Sequence, residues 1–213
     1  MNAQAQPASG PGGGEKLAGR TVAFLIPGDG AGQAETLQPW DAVTQAGGRP
    51  VLVGPERGEA HLSDERGYGL HVPVDTRLAD AREPDFDALV VPGGPNGPAG
   101  LGSDPDAVRF LTAFFLAGKP IAAAGRAPEL LLEADLAQDR MLTSAPELAS
   151  AVEDAGGAWY DYPVVVCHNG PNMLLTGRAA ADVPAFCDAL VDEFAATLAQ
   201  HGPPRGMAEM TRS

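Results

Sequence analysis

The 213-residue chain is predicted to fold as an α/β protein, a doubly wound sandwich with a mostly parallel central sheet and helices on both faces. Three short segments, at residues 21–26, 86–91 and 120–124, are almost wholly apolar, which is typical of strands buried on both faces. Helical patterns alternate with these strands, and such alternation favours parallel pairing. We therefore expect the three strands to be neighbours at the centre of the sheet.

In the first half of the chain, glycine signals separate the strands from the helices. A glycine-rich break at residues 28–32 follows the first strand, and Gly47 and Gly48 end the next helix. A stretch rich in turn residues, with His61 and His71, predicts a small hairpin. In chain order, the predictions are a strand at 21–26, a helix at 33–46, a strand at 50–53, a hairpin at 58–74 and a strand at 86–91.

In the second half, capping residues and prolines mark the helix starts. Ser103-Asp104-Pro105 joins a side-chain cap to a proline in the first turn of a helix that Gly118 and Lys119 end. The later predictions are a strand at 120–124, a helical segment at 128–133, a helix carrying Leu148, Val152 and Ala155, strands at 164–166 and 173–175 around a turn, and a last helix at about 183–198.

The charge balance excludes several classes of partner. Lys and Arg number 14 against 28 Asp and Glu, a net charge of −14. Nucleic-acid binding needs a basic face, so no nucleic-acid partner is expected. An acidic chain is also repelled by anionic lipids, and no apolar run approaches the ~18 residues of a membrane helix.

The termini and cysteines bear on organisation and location. Residues 1–18 and 200–213 are rich in glycine and proline and are predicted to be flexible tails around one domain at 19–199. Two cysteines are too few for a disulfide scaffold. No signal peptide is recognisable, and we expect a soluble cytoplasmic protein.

The glycine-rich break invites comparison with a dinucleotide-binding loop. It follows a strand and opens a helix, and Glu56 lies just after the second strand, where a ribose-binding acid would stand. The fingerprint, however, needs glycine at the position of Gln33. A flexible strand-to-helix turn is the favoured interpretation, and no cofactor is expected.

Cys167 and His168 form a second motif, a thiol beside a base. They fall in a predicted turn between two antiparallel strands, and no third residue is in view to orient the base. An incidental pair is favoured, and the two are kept as an alternative nucleophile site. Cys187 shares a helical stripe with large apolar residues and is predicted to be a core residue. No cysteine and histidine spacing matches a zinc site, so no metal is expected.

Two longer segments carry a family resemblance. Lys119-Pro-Ile-Ala-Ala-Ala-Gly-Arg-Ala-Pro128 and Phe86-Asp-Ala-Leu-Val-Val-Pro-Gly-Gly94 resemble the ThiJ/PfpI superfamily, within the class I glutamine-amidotransferase-like fold. The match runs from about residue 19 to about 198. It implies a flavodoxin-like fold and a homodimer or larger assembly. Further segments that resemble the family are Glu35-Thr-Leu-Gln-Pro39, Leu142-Thr-Ser-Ala-Pro146, Ala155-Gly-Gly-Ala-Trp159 and Asp182-Val-Pro-Ala-Phe186.

The resemblance also implies a site, but with its nucleophile replaced. The family's cysteine, in the turn after the fourth strand, falls on Gly125, and the histidine that usually follows it falls on Arg126. Glu35 matches the glutamate that contacts the thiol, whereas an acid one turn earlier falls on Gly32. Residues 95–98 offer no acid where some members supply one. The implied pocket comprises Glu35, Gly93, Gly94, Gly125, Arg126 and Ala127.

These replacements change the chemistry that is expected. Glycine has no nucleophile and arginine is not a base at neutral pH, so no catalytic residue is expected here. The turn itself is compatible with Gly125, which we expect to have a positive φ. Backbone amides at 125–128 and the Arg126 guanidinium predict a site for a small anion. The favoured interpretation of Arg126 is nevertheless that it pairs with Glu35 or points to solvent, because nothing in the sequence fixes the direction of its guanidinium.

Two functions remain open. The first is a non-catalytic protein of this family that binds a small anion or a partner in a stress or regulatory setting. The second is a hydrolase of the family's usual kind, a peptidase, amidase, deglycase or glyoxalase, that would use Cys167 and His168 from another part of the fold. The position of Cys167 relative to Glu35 separates the two hypotheses.

Overall fold

A seven-stranded sheet forms the centre of the computed structural model, which describes residues 15–64, 66–94 and 101–202. The strands are β1 (Thr21–Leu25), β2 (Asp29–Gly32), β3 (Arg49–Gly54), β4 (Gly58–Ser63), β5 (His71–Val74), β6 (Thr76–Arg77), β7 (Ala88–Val91), β8 (Ile121–Ala124), β9 (Met141–Leu142), β10 (Ala158–Trp159), β11 (Val164–Cys167) and β12 (Leu174–Gly177). The helices of four or more residues are α1 (Gln33–Gln45), α2 (Pro105–Leu116), α3 (Pro128–Glu133), α4 (Ala149–Asp154) and α5 (Val183–Gln200).

The strand order of the large sheet is β11-β12-β8-β7-β1-β3-β6. Its pairs are parallel except β11 with β12, which are antiparallel. The three apolar strands of the sequence analysis correspond to β8, β7 and β1, and they are adjacent at the centre of the sheet. Their predicted position is therefore confirmed, as is the flavodoxin-like α/β fold class.

Successive residues of each central strand face opposite sides of the sheet and enter two different cores. Ala23 and Leu25 pack on one side with Phe110 and Phe114 of α2 and with apolar residues of α3. Val22 and Phe24 pack on the other side with Val43 of α1 and with Phe186, Leu190 and Phe194 of α5. Burial on both faces explains why these strands read as continuous apolar runs rather than as alternating patterns.

The predicted start of α2 is confirmed in detail. Asp104 is the N-cap residue, its side chain accepts a hydrogen bond from the Asp106 N–H at 2.9 Å, and Pro105 occupies the first turn. No helix in the part of the chain that the structure describes is long and apolar enough to cross a membrane.

The glycine-rich break is more ordered than predicted. Asp29–Gly32 forms the strand β2, which pairs in parallel with β4, so the interpretation as a flexible turn is wrong. This strand was not predicted, because glycine has little intrinsic preference for strands and the pairing is supplied by a distant segment. The predicted hairpin is confirmed, since β4 and β5 pair antiparallel with His61 opposite His71.

Leu17 also departs from the expectation that residues 1–18 form a tail. Its side chain is fully buried, and its N–H donates to the carbonyl of Ala46 at 2.8 Å. One apolar residue in a polar, glycine-rich context carries no periodicity, which is why its packing was not predicted. Within the proposed tails, residues 1–14 and 203–213 lie outside the described residues, as does the 95–98 segment.

Leu17→Ala should therefore destabilise the fold by about 2–4 kcal/mol, the usual cost of removing a fully buried leucine side chain. Leu116→Ala is the matched control, because Leu116 is 75% exposed and should change stability by about 0.5 kcal/mol or less. Urea unfolding of both variants measures the difference. Equal stabilities of the two variants would contradict the packing of Leu17.

Candidate functional site

A cavity of about 680 Å³ lies where the carboxyl ends of several strands meet. Gly125 follows β8 directly, Arg178 follows β12, and Asp64 follows β4. Open α/β sheets bind ligands in the crevice at this edge. The cavity is lined by Gly32, Gln33, Ala34, Glu35, Leu37, Gln38, Ser63, Asp64, Gly94, Gly125, Arg126, Ala145, Pro146, Glu147, Arg178, Ala179 and Ala180.

The turn after β8 holds Gly125 in the left-handed region, with φ +58°. The expected positive φ is therefore confirmed. Its N–H donates to Gly177 O at 2.9 Å, and its carbonyl accepts from Ala145 N–H at 2.8 Å. These two bonds join the turn to the end of β12 and to the segment before α4, so its conformation is held from both sides.

The carboxyl group of Glu35 occupies the space beside this turn. A Cβ atom built on Gly125 would lie 2.6 Å from Glu35 Oε1, and Cβ atoms on Gly32 and Gly93 would overlap the same carboxyl group even more closely. Three residues without side chains thus make room for one carboxyl. Glu35 stands in the first turn of α1 and is 7% exposed.

Glu35 lacks a partner that would compensate its burial. Its oxygens have no hydrogen-bond donor and no cation within ion-pair distance among the described residues. Burial raises the pKa of the Glu35 carboxyl above its usual value, because the charged form loses its hydration. The group can therefore donate a proton or hydrogen bond when neutral, or hold a cation when ionised.

Arg126 pairs with glutamates other than Glu35. Its guanidinium contacts Glu147 Oε1 at 3.1 Å and Glu129 Oε1 at 3.2 Å. The expectation that it pairs with Glu35 or points to solvent is therefore wrong. Glu129 lies three residues later, a spacing at which side chains of a helical turn meet, and the acceptor on Glu147 comes from a distant segment.

The amides that were predicted to hold an anion are mostly occupied. Of the amides at 125–128, the Gly125 N–H donates to Gly177 O at 2.9 Å, the Ala127 N–H donates to Ala124 O at 2.9 Å, and Pro128 has no N–H. The next two amides, of Glu129 and Leu130, donate to Arg126 O and Ala127 O at 3.0 Å. The helix that begins here, α3, is six residues long. The first-turn donors are thus used in closing the turn itself.

Arg178 is a second arginine of the cavity, and the sequence analysis did not single it out. Its Nη1 lies 2.7 Å from Asp161 Oδ1, and its Nε lies 3.0 Å from Asp182 Oδ2. These hydrogen bonds raise the pKa of the Arg178 guanidinium above its usual value. Asp64 and Glu147 were also missed. No local pattern marks these residues, because segments far apart in the chain bring them to one cavity.

Cys167 lies at the opposite end of the sheet. It pairs with Leu174, which pairs with Ile121 at the start of β8, whereas Gly125 follows the end of β8. Four residues of strand separate the two levels by roughly 13 Å. Cys167 is therefore not placed to act beside Glu35. The prediction that it lies in a turn is wrong, because it is the last residue of β11.

The surroundings of Cys167 are those of a core residue. Its side chain is fully buried, and Sγ accepts a hydrogen bond from the Met141 N–H at 3.3 Å. Burial raises the pKa of the thiol, but this hydrogen bond and the adjacent Arg140 guanidinium outweigh burial and leave the pKa below its usual value. His168 is exposed and faces Glu193 Oε2 at 3.5 Å.

Cys187 is a core residue of α5, and burial raises the pKa of its thiol to about 11. Within the described ranges, no group of three or more histidine, cysteine or acidic side chains is placed to hold a metal ion. The structure therefore concentrates the chemistry of the cavity on Glu35 and on the charged residues of the cavity wall.

Comparison with known proteins identifies the family. The model of the DJ-1/PfpI family matches residues 20–193, and the chain belongs to this family. It is 32% identical over 167 residues to protein/nucleic acid deglycase 2 of Escherichia coli K12, which covers 78% of this chain and 93% of that protein. General stress protein 18 of Bacillus subtilis is 33% identical over 153 residues, covering 72% of this chain and 86% of that protein.

Solved structures agree with this assignment. Drosophila melanogaster DJ-1beta superposes with a TM-score of 0.71 at 26% identity, covering 83% of this chain and 90% of that one. A protein of Anabaena variabilis with DJ-1/ThiJ/PfpI-like and ferritin-like domains gives a TM-score of 0.74 at 29% identity, covering 82% of this chain and 48% of that one.

Gly125→Ala should destabilise the protein by about 1–2 kcal/mol, because a Cβ at positive φ costs about 1 kcal/mol and the Glu35 carboxyl, the end of a flexible side chain, must shift to make room. Gly67→Ala is the control, because Gly67 has φ +78° with nothing within 4 Å of an added Cβ. Glu35→Ala should lessen the cost of Gly125→Ala. Equal costs at positions 67 and 125 in denaturant unfolding would refute the overlap.

The raised pKa of Glu35 should appear in the pH dependence of stability. The folded state retains the Glu35 proton to higher pH than the unfolded state, so this group's contribution is greatest below the unfolded pKa and is lost as pH rises through the folded pKa. The Glu35→Gln variant cannot ionise at this position and so does not lose stability as pH rises through the folded pKa. The unfolding free energy of the variant, relative to that of the parent protein, should be lowest near about pH 4 and rise towards neutral pH.

Unfolding free energies measured from acid to neutral pH test this expectation. Glu153→Gln, on the exposed face of α4, is the matched control and should give a flat difference from the parent protein. A difference for Glu35→Gln that is also flat would mean that burial does not perturb the Glu35 carboxyl.

Proposed function

We propose that this protein is a non-catalytic member of the DJ-1/PfpI family that binds a small molecule in the cavity lined by Gly125 and Glu35. The observation that carries the proposal is the turn after β8. Position 125 has no side chain and a φ of +58°, and the Glu35 carboxyl fills the space of a Cβ atom. A thiol-dependent reaction has no nucleophile at this turn.

The hypothesis of a relocated thiol has less support. Cys167 is buried at the amino end of β8, roughly 13 Å along the strand direction from the level of Gly125. Its sulfur contacts the Met141 amide and lies in the core beneath α2 and α3. His168 faces Glu193 instead of the sulfur. A substrate in the cavity would not reach this thiol.

The charge of the cavity wall argues for a ligand that is not an anion. Each arginine of the cavity already contacts two carboxylates, Arg126 with Glu129 and Glu147 and Arg178 with Asp161 and Asp182. The chain as a whole carries a net charge of −14. The small anion predicted from Arg126 would meet paired arginines and a negative field.

The cellular setting is proposed from the relatives. One relative is named a general stress protein and another a deglycase, at 33% and 32% identity. We propose that this chain takes part in a stress response as a cytoplasmic binding protein and that it forms a homodimer, as the sequence resemblance implied.

The purified protein should consume methylglyoxal at the background rate, because the reactive position holds no thiol. Escherichia coli deglycase 2, assayed in parallel, serves as the comparison. Cys167→Ser and Cys187→Ser should leave the rate unchanged. Consumption above background that Cys167→Ser abolishes, with the fold preserved by circular dichroism, would refute the proposal and favour the hydrolase hypothesis.

A further inference from the structure

The Glu35 carboxyl is a buried acceptor whose partner the described part of the chain does not supply. Glu35 is 7% exposed, lines the cavity and has neither a donor nor a cation near it among the described residues. A buried polar group without a partner is costly. The glycines at 32, 94 and 125 leave the approach to it free of side chains.

The charged groups around Glu35 come from four of the described segments that line the cavity. Asp64 follows β4, Arg126 follows β8, Glu147 precedes α4, and Arg178 follows β12. Both arginines are paired with acids, and Asp64 accepts the backbone N–H groups of Arg66 and Tyr68. Among the described lining residues the carboxylates of Glu35, Asp64 and Glu147 outnumber the two guanidinium groups, so the field of the cavity attracts a positive charge.

The remaining wall is apolar or small. Leu37, Pro146 and Ala179 contribute to the lining, and the cavity volume of about 680 Å³ lies in the range of small-molecule sites. An apolar body can pack there while a donor group reaches Glu35. A carboxylate or phosphate ligand would face Asp64 and Glu147 at the wall and a second carboxyl at Glu35.

We propose that the cavity binds a small organic cation, an ammonium or guanidinium group on an apolar body, whose N–H groups donate to the Glu35 carboxylate. This inference rests on the proposed function, because it requires a cavity used for binding rather than for thiol chemistry. Glu35 is ionised in the complex, and a free carboxyl that is protonated releases its proton on binding. Affinity for the cation therefore rises with pH as Glu35 ionises.

Three probes with one aromatic body and different charges test the proposal: benzylammonium, benzyl alcohol and benzoate. Calorimetric titration of the full chain at pH 8 should give benzylammonium at least about tenfold tighter binding than benzyl alcohol, since a charge-assisted hydrogen bond contributes about that factor. Benzoate should bind least. Benzylammonium affinity should fall as the pH is lowered.

Glu35→Gln should weaken benzylammonium binding by about tenfold or more and remove its pH dependence, whereas Glu153→Gln should change neither. Glu35→Asp keeps the carboxylate but moves it away from the ligand by one methylene length, and should give an intermediate affinity for benzylammonium. Thermal unfolding verifies that each variant is folded. Equal binding of the three probes, tighter binding of benzoate, or an unchanged affinity in Glu35→Gln would overturn the inference.

The outcome is separable from that of the methylglyoxal assay. Thiol-dependent turnover together with Glu35-dependent cation binding would refute the non-catalytic function but leave the cation site standing. Absence of turnover together with no preference for the cation would refute this inference and leave the non-catalytic function in place.

Discussion

The site depends on one steric constraint: the Glu35 carboxyl and a side chain at position 125 compete for the same space. Gly125 gives up that space, and Gly32 and Gly93 make room for the other side of the carboxyl. The positive φ of Gly125 positions the turn between β12 and the segment before α4. Glu35 is thereby buried in the first turn of α1 with no side-chain hydrogen-bond partner in the part of the chain that the structure describes, and this burial raises the pKa of its carboxyl.

At the cavity, acidic side chains of the chain form ion pairs with the arginines that line it. Arginine is the residue best suited to recognise carboxylate or phosphate, and two arginines line the cavity. Each is held by carboxylates of the same chain, at distances from 2.7 to 3.2 Å. Their role in the structure is therefore to connect segments around the cavity, and Glu35 has no ion-pair partner among the described residues.

The candidate functional groups lie at opposite ends of the central sheet. The family resemblance pointed to Glu35 and Gly125, and the Cys-His motif pointed to Cys167. Glu35 and Gly125 meet at the carboxyl ends of the parallel strands, whereas Cys167 is enclosed at the amino end of β8 with Arg140 and Met141. The thiol there is polarised but inaccessible, since its side chain is fully buried. Proximity to a base in sequence, as with His168, gives no proximity to the cavity.

The sequence by itself determined the layered architecture, because buried strands and helix caps are local signals read within a few residues. The positive φ at Gly125 was expected from the resemblance of its turn to that of the family. The resemblance also pointed to Glu35. The sequence did not predict the strand at Asp29–Gly32, the burial of Leu17, or the partners of Arg126 and Arg178. Those features were decided by tertiary structure, since each requires contact with a segment distant in the chain. The charge that a ligand meets in the cavity depends on these long-range pairings, and residue types alone do not specify which acid reaches which arginine.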